Sequence, residues 1–231
     1  MSAAEWTQAP VPQEAPEHGR VLLKDGTAAH LRPALPDDLP LLADLLRRLS
    51  PETRQRRFFG TLTEQAAAGE LLRSGPPEQA LTLVVLTGQP ERTRIVAVGS
   101  YVRDSREPET AEVAFLVDDD HRGRGLGTLL LERLALVAVR HGIRRFFGVV
   151  EPDNREMLEV FRESGFPMET RPGDGHVSVS LSVLPSRESV ARAEMRDRIA
   201  TVASLRPFFY PRSVAVVGAS RDPQSIGYRI L

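Results

Sequence analysis

One segment limits what this chain can fold into more than any other: Arg122-Gly123-Arg124-Gly125-Leu126-Gly127-Thr128. It lies between a strand-like run, AEVAFLV (111–117), and a strongly apolar helical run, LGTLLLERLALVAVRHG, that ends at Gly142. Three glycines at alternate positions let a backbone approach a ligand closely and turn its N–H groups inward. The helix that follows aims its positive end at the same spot, and two arginines add charge. Together these features describe a pyrophosphate site. The run lacks the Gly-Lys-Ser/Thr of a Walker loop, and Leu130 stands where a dinucleotide fingerprint needs a third Gly or Ala.

The surrounding pattern is that of an α/β domain. VLLKDGTAAHLRP reads as strand, Asp25-Gly26 turn, strand, and Leu42, Leu45, Leu46 and Leu49 share one face of a helix that Asp37 and Asp38 open. Strand-like runs at 80–87, 94–102, 111–117, 144–150 and 176–184 alternate with the glycine-rich loop, the long helix and a second helix, DNREMLEVFRESGF. In 111–117, Val113, Phe115 and Val117 share one face and Glu112, Ala114 and Leu116 the other. Residues 1–19, rich in proline and glutamate, read as a flexible tail; 20–184 form the main domain; 185–205 are a charged helical linker. Residues 206–231 hold one apolar strand, SVAVVG, and a Gly/Ser turn, too little to bury a core, and read as the truncated start of another domain.

Composition excludes several functions. The 231 residues carry 30 basic and 31 acidic side chains, and a net charge of −1 argues against a general nucleic-acid or anionic-membrane binder. There is no cysteine, so thiol nucleophiles, disulfides and thiolate metal sites are out. No apolar run reaches membrane-spanning length and no signal peptide is readable, so the expectation is a cytoplasmic protein. Asp118-Asp119-Asp120-His121 reads as a solvated loop, not a metal site, and the five histidines show no ligand spacing. No G-x-S-x-G elbow supports a serine hydrolase. Lys24 is the only lysine; every other basic residue is arginine.

Strand, R-x-x-G-x-G and helix together resemble the acetyl-CoA loop of the GNAT acetyltransferases, and the resemblance covers about residues 20–184. It implies a mixed, mostly antiparallel central sheet, splayed at the acetyl-CoA site and flanked by helices. It further implies acetyl-CoA as co-substrate, with the amides of Arg122, Gly123, Arg124, Gly125, Leu126, Gly127 and Thr128 on the pyrophosphate. By the same resemblance, Phe115, Leu116 and Val117 pair with the pantetheine, and Asn154 contacts that arm. SVAVVGASRDPQSIG resembles the opening of the CoA-binding, Rossmann-like domain of NDP-forming acyl-CoA synthetases, where Gly218, Ser220 and Gly227 would line a site. That fusion, with LRPALPDDLPLLADLLRRLSPETRQRRFF and AEVAFLVDDDHRGRGLGTLLLERL, resembles the Pat-type bacterial protein lysine acetyltransferases, which inactivate AMP-forming acyl-CoA synthetases by acetylating their active-site lysine.

A lysine amine is neutral about once in two thousand at pH 7, so the reaction needs a base. Glu112, an acid inside an apolar strand beside small Ala114, is the candidate, and it matches the family's catalytic glutamate. Many relatives carry a tyrosine acid where this chain has Phe161, so no general acid is assigned. Arg47, Arg48, Arg54, Arg56 and Arg57 form either a patch that steers an acidic partner or a plain solvated helix end. The competing readings are a small-molecule amine acetyltransferase and a non-catalytic acyl-CoA sensor. The sequence leaves oligomeric state open.

Overall fold

The computed structural model describes residues 15–58, 63–72, 75–89, 92–214 and 224. Most of the proline-rich tail, with its Trp6, lies outside these residues, as do Gly218, Ser220 and Gly227.

Eight strands form one sheet: β1 (Gly19–Leu22), β2 (Ala28–Pro33), β3 (Ala80–Thr87), β4 (Arg94–Arg103), β5 (Thr110–Val117), β6 (Arg145–Val150), β7 (Met168–Gly173) and β8 (His176–Ser182). Their order is β1-β2-β3-β4-β5-β6-β8-β7. Every neighbouring pair is antiparallel except β5 with β6. This is the mixed, mostly antiparallel, helix-flanked sheet expected above.

The central strands are apolar on both faces because both are covered. On one face Leu83, Val85 and Val96 pack with α4 (Leu126–Arg140), whose Leu130, Leu131 and Leu134 are fully buried. On the other, Val84, Leu86 and Ile95 pack with Leu42, Leu45 and Leu46 of α1 (Leu39–Arg48) and with Ala68 and Leu71 of α3 (Glu64–Leu71). Two shorter helices, α2 (Pro51–Phe58) and α5 (Arg155–Glu163), complete the layers beside β5 and β6. Gly142 and Gly165, at φ +80° and +74°, follow α4 and α5 in the left-handed conformation that stops a helix.

Three features differ from the sequence reading. β7 forms a hairpin with β8 around Asp174-Gly175, although METRPG shows no apolar alternation; it is an exposed edge strand whose charges and Pro172 suit that position. The run from Pro36 is not one helix: Pro36–Asp38 is a 3-10 turn ahead of α1. Asp38 does not cap α1 but is buried in a bidentate pair with Arg32 (2.6 and 2.7 Å) while accepting from the Leu35 N–H (2.8 Å). Last, α6 (Arg187–Phe209) continues past residue 205 and lies against the domain. Its Arg196 pairs with Glu132 of α4 and donates to the Glu163 carbonyl (2.9 Å), and its Ala203 backbone closes over Gly26.

Burial alone would raise the Asp38 pKa, but the bonds from Arg32 and Leu35 outweigh it and hold the carboxyl below its ordinary 3.8. Its stabilising effect is therefore present above the unfolded carboxylate pKa and is lost as pH falls through the lower folded one. Asp38→Ala should cost about 1–3 kcal/mol at pH 7, and the gap from wild type should narrow below about pH 4. Urea midpoints measured across pH 3–7 check this.

Candidate active site

β5 pairs with β6 over only three residues: Thr110, Ala111 and Glu112 stand beside Arg145, Phe146 and Phe147. β5 then stays on β4 as far as Val117 and β6 stays on β8 as far as Val150, so the two strands part immediately after Glu112. The parity of the β4 ladder is fixed at its ends by Asp118 N–H to the Val96 carbonyl (2.9 Å) and Asp104 N–H to the Thr110 carbonyl (2.9 Å). Even-numbered residues of β5 therefore bond to β4, and the peptide groups of Val113, Phe115 and Val117 face the opening. Gly148 stands at the fork, where a Cβ would come 3.3 Å from the Val113 carbonyl oxygen.

The fork opens into a cleft of about 630 Å³ that runs from Arg57, Glu70 and Glu112 at one end to the glycine-rich loop at the other. Glu112 is exposed to it at the vertex; Phe115 and Val117 pack toward α4, with Phe115 edge-to-face on Phe161 (6.2 Å). Leu116 is buried on the α1/α3 face and its peptide group is turned to β4, so of the three strand residues singled out, Phe115 and Val117 address the opening by their backbone.

The glycines of the loop divide their work. Gly123 and Gly125 have φ of +71° and +79°, a conformation side chains rarely adopt, and Gly125 caps α4 without any side-chain hydrogen bond. Leu129 N–H donates to the Gly125 carbonyl (3.0 Å), so the amides of Leu126, Gly127 and Thr128 precede the first helical hydrogen bond and point out of the helix end. Gly127 instead meets α5: a Cβ there would stand 2.9 Å from Val160. Asn154 caps α5 by accepting from the Met157 N–H (3.1 Å), so a second helix N-terminus borders the cleft.

The acidic run is built in rather than solvated. Asp118 is buried and accepts from Arg48 Nε (3.0 Å); Asp119 accepts from Ser50 N–H and Thr53 Oγ1 (both 2.7 Å) and pairs with Arg122 (2.6 Å). Burial works against the ionised Asp119, yet the Ser50, Thr53 and Arg122 contacts keep its pKa low. Only Asp120 is exposed. The run thus moors the loop to α1 and α2. Among the described residues no group of His, Asp and Glu has the spacing to hold a metal.

The arginine patch is largely paired, though Arg47 stays exposed beside Asp44 (3.4 Å). Arg48 pairs with Asp44 and Asp118; Arg54 with Glu64 (3.9 Å); Arg56 with Glu52 (2.7 Å), Glu151 (3.6 Å) and Asp153 (3.4 Å). Arg57 turns inward and lines the cleft with Glu112 and Glu70; burial lowers its pKa, and the two carboxylates oppose that fall. Sequence spacing alone does not place Arg57 or Glu70 in the site. The adjacent Phe58, over which the guanidinium lies at 5.1 Å, was the available sign that this arginine leaves the solvent.

Residues 40–166 match the acetyltransferase (GNAT) family. An acetyltransferase of Pseudomonas aeruginosa is 30% identical over 159 residues, 68% of this chain and 85% of its own length. Acetyltransferase Pat of Mycolicibacterium smegmatis is 30% identical over 179 residues, 78% of this chain but 53% of its own length. The crystal structure of the GNAT domain of S. lividans PAT superposes with a TM-score of 0.65 at 30% identity, covering 73% of this chain and 98% of that one. The chain belongs to the GNAT acetyltransferase family. It spans about half of the M. smegmatis relative. Among the described residues no helix is long and apolar enough to cross a membrane.

Because Gly127 is a packing glycine and Gly123 a conformational one, their substitutions should separate. Gly127→Val should wedge α4 from α5 and destabilise by about 1–3 kcal/mol. Gly123→Ala meets no atom within 4 Å and should cost only the strain of its φ, about 1 kcal/mol. Thermal and urea unfolding of the two variants checks the order.

Proposed function

We propose that this chain is a protein N-ε-lysine acetyltransferase of the Pat type, acting in the cytoplasm on the active-site lysine of an AMP-forming acyl-CoA synthetase with acetyl-CoA as co-substrate. The observation that carries this reading is the position of Glu112 at the vertex of the fork, at the head of a cleft whose far end is the glycine-rich loop. The outward amides at the start of α4 fit a pyrophosphate, and the edge of β5 at Phe115 and Val117 fits an amide-bearing pantetheine arm. The similarity to Pat supports a protein acceptor. We read SVAVVGASRDPQSIG (213–227) as part of a CoA-binding domain on the same resemblance.

In this reading Glu112, directly or through a water, takes a proton from the acceptor ammonium. The freed amine then attacks the thioester without a covalent enzyme intermediate. The Phe115 N–H, turned into the opening, polarises the acetyl carbonyl. Arg57 and Glu70 border the end where the acceptor enters. Phe161 is buried and has no hydroxyl, so protonation of the leaving thiolate falls to water or to the proton released by the amine.

Incubation of a purified AMP-forming acetyl-CoA synthetase with this chain and acetyl-CoA, followed by mass spectrometry, tests the proposal. One acetyl group on the synthetase active-site lysine is expected, and Glu112→Gln should slow its appearance about 10²–10⁴-fold while acetyl-CoA still binds. No modification by a chain that binds acetyl-CoA would overturn the assigned acceptor. Full activity of Glu112→Gln would overturn the base.

A further inference from the structure

Three cations stand about the loop: Arg122 and Lys24 line the cleft, and Arg124 lines the adjoining hollow. Both arginines are already committed. Arg122 pairs with Asp119 (2.6 Å) and Glu156 (3.0 Å) and donates to Thr53 Oγ1 (2.5 Å). Arg124 pairs with Asp25 (3.2 Å) and donates to the Asp120 carbonyl (3.2 Å). The cleft wall beside them is acidic, with Glu156, Glu159 and Glu163 along α5. A dianionic ligand at this end therefore meets motif arginines whose charge is largely offset by their own carboxylate partners.

Lys24 is placed differently. Its backbone N–H donates to the Arg124 carbonyl (3.1 Å), and a Cβ on Gly125 would stand 3.9 Å from the lysine Cβ, so the residue is fixed on the loop itself. Its side chain is exposed, and among the described residues it has no carboxylate partner; the adjacent Asp25 is taken by Arg124 and by the Thr27 N–H (2.9 Å). It also stands where the cleft passes over Gly125 into a second hollow of about 250 Å³ between the loop and α6. It is the only lysine among 30 basic residues, a compact ammonium that can follow a phosphate oxygen where a guanidinium fork is held by a carboxylate.

We infer that Lys24, outside the glycine-rich motif, is a phosphate-binding residue of the cofactor cleft and supplies the uncompensated positive charge there. The inference rests on the acetyl-CoA reading given above. Calorimetric titration tests it with acetyl-CoA, its 3′-dephospho form and S-acetylpantetheine, on the wild type, Lys24→Met and Lys24→Arg. Lys24→Met should bind acetyl-CoA about tenfold more weakly, Lys24→Arg should recover most of the loss, and S-acetylpantetheine should bind all three alike. A loss retained with the 3′-dephospho form identifies the pyrophosphate as the contact; a loss abolished there identifies the 3′-phosphate. Equal acetyl-CoA affinity in wild type and Lys24→Met overturns the inference and leaves the cleft assignment standing, and so does an equal loss with S-acetylpantetheine. Failure of the wild type to bind acetyl-CoA overturns both.

Discussion

Past Glu112 the facing edges of β5 and β6 have no strand between them, and the rest of the architecture serves that interruption. Backbone N–H and C=O groups inside a protein require partners, so a parted sheet is costly unless something with the right polarity lies along it. The remaining elements hold the gap at its width. β4 keeps β5 straight on one side and β8 keeps β6 on the other. α4 and α5 close the floor through Gly127 and Val160, and Phe115 and Phe161 lock it with an aromatic contact. Glu112 owes its position to this constraint, since the last paired residue of β5 is the one whose side chain stands at the vertex.

Charge near the glycine-rich loop is arranged for shape first and attraction second. Asp118 and Asp119 hold Arg48, Ser50, Thr53 and Arg122, which fastens the loop to the α1–α2 junction. Arg124 fastens it to the β1–β2 turn through Asp25. In the reading proposed above, the attraction left for an anion comes from the exposed amides at the start of α4, from the start of α5, and from Lys24. These do not need to be released from a carboxylate before they act.

Strands β3 to β6 and helix α4 were readable because each repeats one local rule: β-branched and aliphatic runs of strand length, or an apolar stripe ended by glycine. The loop's place between β5 and α4 was readable because closely spaced glycines ahead of an apolar helical run mark a turn into a helix N-terminus. β7 was not, since an exposed edge strand carries no apolar alternation. Asp38 and Asp118 were misjudged for a common reason. Their partners, Arg32 and Arg48, lie respectively across a strand end and 70 residues away, and no local pattern reports a buried ion pair. Arg57 and Glu70 join Glu112 only after α2 and α3 fold over β5. Gly127 was legible as a glycine but not as the contact point of two helices.

The α6 helix, 23 residues and so about 35 Å long, is a rod laid across the edge of the domain that holds the loop. Its Ala203 backbone leaves no room for a Cβ on Gly26, the residue that follows the Asp25 clamp on Arg124. Its Arg196 is gripped by Glu132, on the same helix whose first turn is the loop. The rod therefore rests on both supports of the loop at once, the β1–β2 turn that clamps Arg124 and the helix that the loop opens.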